Sequence, residues 1–123
     1  MIKEQRAYVR LEVEGNALLK PEDATFRTIK ADLFDLCSLG FGVCAPEKIE
    51  PGIQVRFEFT VKSCDEPLFG KGKIIYAYEV KKDDTRAFKM GIKFIKADSK
   101  EISNILNVIQ HDLTMMARKK DRK

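Results

Sequence analysis

The chain has 123 residues, 44% of them hydrophobic and 34% charged, which suits one domain with its own core and argues against a disordered or fibrous protein. Its formal net charge of +4 comes from residues 118–123, where five basic residues accompany one acidic residue, so residues 1–117 are neutral. No apolar run reaches the roughly 18 to 20 residues of a membrane span, and residues 1–6 lack the apolar run of a signal peptide, so we expect a cytoplasmic protein.

Alternation of apolar and polar residues dominates the chain up to about residue 96 and predicts β-strands. The first predicted strand has one apolar face, formed by Val9, Leu11 and Val13. Residues 24–36 predict one or two further strands, with residues 30–34 ambiguous. Pro51-Gly52 then predicts a turn.

The later strands have the clearer patterns. One core face is predicted for the strand that contains Val55, Phe57, Phe59 and Val61. A long strand is predicted over residues 70–80, and its apolar face is expected to contain Ile74, Tyr76, Tyr78 and Val80. A charged hairpin over residues 81–85 leads into the last strand, residues 87–95, whose apolar face contains Phe88, Met90, Ile92 and Phe94.

A helical period follows the last strand. Apolar residues recur on one helix face at Ile102, Ile105, Leu106, Ile109, Leu113 and Met116. Asp98 and Glu101 have the spacing of a capping box, so the helix is expected to begin there. Six or so antiparallel strands followed by one amphipathic helix predict a mainly β protein, a small barrel with the helix packed across it.

Catalytic and metal-binding patterns have little support. His111 is the only histidine, and it lies far in sequence from every cysteine, so a Cys-His or Ser-His pair is not indicated. Cys37, Cys44 and Cys64 are an odd number at spacings that fit no common zinc pattern, and we expect free thiols. The sequence therefore predicts neither an enzyme nor a cofactor.

Two segments have residues suited to an anionic ligand. Arg6 and Arg10 lie four residues apart, and two guanidiniums so placed can converge on phosphate oxygens or stack on bases, although the spacing alone also fits two surface arginines. Residues 35–43, DLCSLGFGV, combine a carboxylate that can accept from a guanine edge with glycines that permit close backbone approach. Alone, this segment also fits a β-bulge or a turn.

Together the two segments form a more specific pattern. An R-x-x-x-R pair followed about 25 residues later by D-x-S-x-x-G resembles the PilZ domain family of cyclic di-GMP receptors. Arg6 and Arg10 match the first motif, and Asp35, Cys37 and Gly40 occupy the D, S and G positions of the second. Later landmarks are also similar, namely Pro51-Gly52, the long strand over 70–80 and the sequence MGIKF at 90–94.

The resemblance implies a six-stranded antiparallel barrel that binds cyclic di-GMP without catalysis. Arg6 and Arg10 would contact phosphates and guanine edges, Asp35 would accept from a guanine, and Gly40 would allow the backbone to approach the ligand. Binding would order the N-terminal arm and thereby signal to an effector protein. The expected boundaries are a PilZ-like domain over 1–117, with a flexible arm over 1–10 and a helix over 99–117, and a basic tail over 118–123.

Two candidate binding positions depart from the family pattern. Cys37 stands where the family has serine, so a weak thiol donor replaces a hydroxyl, and Ser38 points to the opposite face of a strand. Gln5 stands where many relatives have a further arginine, which removes one cation. Because one neutral hydrogen bond contributes on the order of 1 kcal/mol, we expect binding to be weakened or unaltered rather than lost.

Two other functions fit parts of the sequence. A PilZ-like domain can act through protein contacts alone, without the nucleotide, and a homodimer is compatible with such a role. The basic tail could bind nucleic acid or an anionic membrane. A neutral domain with a short cationic end would make only a nonspecific, salt-sensitive contact, so we expect no specific nucleic-acid binding.

Overall fold

The computed structural model describes residues 11–23, 25–62, 64 and 66–121. Its elements in chain order are β1 (Leu11–Pro21), β2 (Ile29–Leu36), β3 (Gly40–Ala45), β4 (Gln54–Val61), β5 (Leu68–Lys82), β6 (Thr85–Ala97) and α1 (Ser99–Asp121). The strands pair antiparallel and close into a barrel in the order β1-β2-β3-β6-β5-β4. The predicted six-stranded barrel with a C-terminal helix is confirmed.

The barrel interior is filled by the inward-facing residues of every strand. On β4 the predicted alternation is confirmed, because Val55, Phe57, Phe59 and Val61 are each at most 3% exposed. A cluster of phenylalanines packs in the centre with neighbouring ring centroids 4.8–5.7 Å apart; its members are Phe41, Phe57, Phe59 and Phe94. Because side chains fill this interior, a ligand is expected on the outer face or at an end of the barrel.

The first predicted strand is longer than its pattern indicated. β1 begins at Leu11, which is buried as predicted, and continues to Pro21; Val9 lies outside the described residues. A register shift between Glu12 and Gly15 interrupts the alternation of β1, which hid its second half in the sequence. Residues 24–36 contain one strand, β2, which agrees with the expected one or two.

The predicted apolar face of β5 is wrong beyond Ile74. Ile74 lies opposite Ile92 and Tyr76 lies opposite Gly91, so Ile75 is an extra residue that forms a β-bulge. One extra residue reverses the alternation of the strand. Ile74 and Ala77 therefore pack on the core, while Tyr76 and Tyr78 lie on the outer face of the barrel.

Two predicted turns are confirmed. Gly52 has φ +96, a conformation that favours glycine, and its N–H donates to the Ile74 carbonyl at 2.7 Å. Asp83 and Asp84 connect β5 to β6 with φ values of 53 and 64, as a two-residue type I′ hairpin requires.

Helix α1 starts as predicted. Asp98 Oδ1 accepts hydrogen bonds from the backbone N–H groups of Lys100 at 2.9 Å and Glu101 at 3.1 Å, so Asp98 is the N-cap. Ile102 and Ile109 are buried in the core, and Ile105 and Leu106 are partly buried against it. The side chains of Leu113 and Met116 are outside the described set. The helix ends at Asp121, four residues beyond the expected end at 117, so most of the expected basic tail is helical.

Candidate ligand-binding site

Four residues form a row across the outer face of the barrel. Asp35 on β2 lies opposite Gly42 on β3, Gly42 lies opposite Gly91 on β6, and Gly91 lies opposite Tyr76 on β5. The neighbours of both glycines along their strands point into the core, so the glycines face outward. The row is therefore a shallow trough with a carboxylate at one side and an aromatic ring at the other.

Gly42 makes room for the side chain of Asp35. A Cβ atom at this position would lie 2.6 Å from Asp35 Oδ1 and 2.6 Å from Cζ of Phe34. The carboxylate therefore lies against the backbone of β3. Any residue other than glycine at position 42 would force the Asp35 and Phe34 side chains to move. Asp35 is half-buried there and has interactions with its surroundings.

A second β-bulge sets the direction of Asp35. The register of β2 against β3 shifts between Leu33 and Asp35, so Phe34 is an additional residue on β2. The Phe34 ring is covered by the Lys89 ammonium, whose Nζ lies 5.0 Å from the ring centroid in a cation–π contact. Bulges of this kind redirect a side chain, and this one directs Asp35 toward Gly42.

Tyr76 covers the other glycine of the row. A Cβ at Gly91 would collide with the Tyr76 ring, so the ring lies directly over the β6 backbone. The ring also stacks on Tyr78 with centroids 5.8 Å apart and an interplanar angle of 24°. These contacts fix the ring orientation, and Tyr76 stays partly exposed.

The β2–β3 connection holds the second motif close to β6. The Cys37 N–H donates to the Gly40 carbonyl at 2.9 Å, and the Phe94 N–H donates to the Leu39 carbonyl at 2.8 Å. A Cβ at Gly40 would run into the Ile92 carbonyl oxygen, so glycine is needed for this close approach of β3 to β6. Cys37 is half-buried, whereas Ser38 is exposed.

These features border one hollow of about 360 Å³ on the outside of the barrel. Its lining residues come from four strands and one loop, and they are Asp35, Cys37, Leu39, Gly40, Phe41, Ile75, Tyr76, Gly91, Ile92 and Lys93. The volume lies at the lower end of the range of about 300–1,000 Å³ that is usual for small-molecule sites. The hollow offers hydrogen-bond acceptors at a carboxylate, a flat aromatic surface and one ammonium group.

A larger depression of about 770 Å³ lies elsewhere on the barrel. It is bordered by residues such as Asn16, Lys30 and Asp83, and it contains none of the motif residues. This depression lacks an aromatic ring and a close backbone approach. Size alone would favour a third depression, of about 1180 Å³, which has Asp35, Phe34 and Lys89 in its lining but neither Cys37 nor Gly40. We therefore place the candidate site at the smaller hollow.

The structure brings together three of the six residues expected at the site from the sequence. Asp35, Cys37 and Gly40 all line the hollow. Gln5, Arg6 and Arg10, together with the expected flexible arm over 1–10, lie outside the described residues.

Seven lining residues were not candidates from the sequence, and three of them, Tyr76, Gly91 and Lys93, are central to the site. Gly91 and Lys93 lie in the MGIKF segment, which was noted only as a landmark of the fold. Tyr76 was assigned to the core face because the bulge at Ile75 is not visible in the periodicity.

Among the described residues, no group of three or more His, Cys, Asp or Glu side chains is placed to hold a metal ion. In the same part of the chain, no helix has the length and apolar character needed to cross a membrane.

Comparison of the fold with solved structures gives consistent matches. The PilZ domain of Escherichia coli YcgR with c-di-GMP matches with a TM-score of 0.67 and 19% identity, over 98% of this chain and 99% of that domain. Escherichia coli YcgR in complex with c-di-GMP matches with a TM-score of 0.78 and 16% identity, over 94% of this chain and 50% of the other. The Bacillus subtilis inhibitor of motility, MotI/DgrA, matches with a TM-score of 0.68 and 15% identity, over 91% of this chain and 53% of the other.

Sequence comparison adds no closer relative. No protein-family model matches the chain, and no curated protein sequence matches it. The chain spans about half the length of the YcgR and MotI/DgrA chains, and essentially all of the isolated PilZ domain. The agreement in strand number, closure and terminal helix over nearly the whole chain establishes that this protein has the PilZ-domain fold.

Proposed function

We propose that this protein is a cyclic di-GMP receptor that binds the nucleotide on the outer face of its barrel. The observation that carries the proposal is the convergence of Asp35, Cys37 and Gly40 on one hollow, beside the partly exposed ring of Tyr76. Two of the structural neighbours, both from YcgR, are complexes with c-di-GMP.

The chemistry of the hollow matches a guanine base. Guanine presents N–H donors along one edge, and the Asp35 carboxylate can accept several hydrogen bonds. The Tyr76 ring offers a face for base stacking, which contributes about 1–3 kcal/mol per base in other proteins.

Asp35 and Tyr76, the residues proposed to bind the base, supply no cation for the phosphates. Arg6 and Arg10 immediately precede β1, and Glu12 near its start lies opposite Asp35. The described start of β1 therefore lies beside Asp35. We propose that these arginines bind the phosphodiester groups, as bidentate or stacked guanidiniums.

The proposed output is contact with an effector protein. Ordering of residues 1–10 around the ligand would create a surface that exists only in the bound state. The proposal includes a domain over 1–117, a cytoplasmic location and no catalysis. A homodimer is compatible with it.

Isothermal titration calorimetry with cyclic di-GMP tests the proposal. We expect binding at micromolar concentrations, a loss of tenfold or more in Asp35→Asn and Arg10→Ala, and no change in Asp32→Asn. Asp32 is the matched control because it is an exposed carboxylate on the same strand, three residues from Asp35 and not part of the hollow. Absence of heat at tens of micromolar, or an unchanged affinity in Arg10→Ala, would contradict the proposal.

A further inference from the structure

Four lysines form a compact block on the outer face of β5 and β6. Lys71 lies opposite Lys96, and Lys73 lies opposite Lys93. Residues opposite each other in an antiparallel pair have Cβ atoms about 4.5–5.5 Å apart, and like charges in this position are destabilising. The residues up to 117 are neutral in total, so this block is a concentration of charge that the residue count does not reveal.

The lysines of this block differ in their pairing. Lys71 Nζ lies 3.2 Å from Glu22 Oε1, and the same glutamate also contacts Arg56 at 3.5 Å. Within the part of the chain that the structure describes, no carboxylate forms an ion pair with Lys73 or Lys93, and both are exposed. Lys96 likewise has no ion pair there, so Lys73 and Lys93 are the opposed pair of the block in which neither charge is compensated.

This pair is continuous with the candidate site. Lys93 lines the hollow together with Asp35 and Cys37, and it lies directly opposite Gly40 in the register of β3 and β6. Because Gly40 has no side chain, nothing on β3 at that position separates Lys93 from the hollow. Lys73 continues the same row one strand further.

We propose that Lys93, supported by Lys73, binds a phosphodiester group of the nucleotide at the rim of the hollow. The inference rests on the proposed function and adds a phosphate-binding position on the barrel itself, independent of the N-terminal arm. A phosphate placed between two opposed ammonium groups removes their repulsion. The free protein tolerates the repulsion, and the bound anion relieves it.

This arrangement predicts opposite effects on stability and binding. Lys93→Gln removes one charge of the opposed pair, so the melting temperature of the free protein is expected to rise by about 1–2 °C. The same substitution is expected to weaken cyclic di-GMP binding about 3- to 10-fold, because one charge-assisted contact is lost at a partly exposed site. A purely structural role for Lys93 would change both quantities in the same direction.

The experiment combines calorimetric titration with cyclic di-GMP and thermal unfolding of the free protein, each at low and at physiological salt. Lys93→Gln and Lys73→Gln are expected to weaken binding, and the weakening is expected to shrink as salt screens the contact. Lys93→Arg is expected to keep the affinity within about twofold because it keeps the charge. Lys30→Gln is the matched control, since Lys30 is an exposed strand lysine outside the hollow.

The outcomes separate this inference from the function on which it rests. Wild-type binding with an unchanged affinity in Lys93→Gln would overturn the inference and leave the proposed function intact. An equal loss in Lys93→Arg and Lys93→Gln would also overturn it, because shape rather than charge would then decide. Absence of binding by the wild-type protein would overturn both.

Discussion

Replacing Gly42 by alanine tests the contact between the β3 backbone and the Asp35 carboxylate. The added Cβ would lie 2.6 Å from Asp35 Oδ1, and an ordinary van der Waals contact begins at 3.4 Å. The carboxylate oxygen therefore has to move by about 0.8 Å. This displacement is larger than the range of donor–acceptor distances in a hydrogen bond, which extends from about 2.7 to 3.2 Å. Loss of a hydrogen bond to a charged group costs about 1.5–3 kcal/mol, so cyclic di-GMP affinity should fall roughly 10- to 150-fold.

Stability should change much less than binding. The two atoms that the new Cβ approaches most closely are the ends of the Asp35 and Phe34 side chains, which can move, rather than backbone atoms. Alanine also loses less conformational entropy than glycine on folding, an effect of about 0.4–1 kcal/mol. We expect the free energy of unfolding of Gly42→Ala to stay within about 1 kcal/mol of the wild-type value.

Gly52→Ala provides the converse control. No atom lies within 4 Å of a Cβ at Gly52, but its φ of +96 is strained for alanine, so this variant should lose about 1 kcal/mol of stability and keep its affinity. Calorimetric titration and urea unfolding of both variants supply the two quantities. The reasoning is refuted if Gly42→Ala binds within twofold of wild type, or if it unfolds as readily as a core variant.

Three further substitutions test other parts of the account. Cys37→Ser restores a hydroxyl donor in the hollow and should tighten cyclic di-GMP binding several-fold, an effect of about 1 kcal/mol. Weaker binding in calorimetry would show that the thiol serves the site better than a hydroxyl. Tyr76→Phe should bind like wild type and Tyr76→Ala about 10- to 100-fold more weakly, because only the latter removes the stacking surface; equal affinities would exclude stacking. Ile109→Ala should lower the free energy of unfolding, measured in urea, by about 2–4 kcal/mol, whereas Val108→Ala at an exposed position should lower it by less than about 0.5 kcal/mol. Similar losses in the two variants would mean that the helix packs through a different face.

The fold was predictable where local periodicity and burial agree. On β4 each apolar residue of the alternating pattern is inside the barrel, and on α1 the stripe that starts at Ile102 packs on the core. Asp98 was recognisable as a helix cap because capping depends on residues three positions apart. Such features depend on a few neighbouring residues, and one sequence suffices to recognise them.

The candidate site was predictable only in part, because bulges and register are not local properties. The bulge at Ile75 moves Tyr76 to the outer face, and the bulge at Phe34 directs Asp35 toward Gly42. Neither bulge has a sequence marker. The facing positions of Lys73 and Lys93 follow from pairing between strands, and a charge count cannot detect such a pair.

Amide chemical shifts of the labelled protein, recorded by NMR during addition of cyclic di-GMP, test the central claim most directly. The account predicts the largest shifts at Cys37, Gly42 and Gly91, around the hollow, and little change at Asp83 and Asp84 in the distant hairpin. Shifts concentrated in that hairpin, or no shifts at saturating nucleotide, would contradict the claim that the outer-face hollow binds cyclic di-GMP.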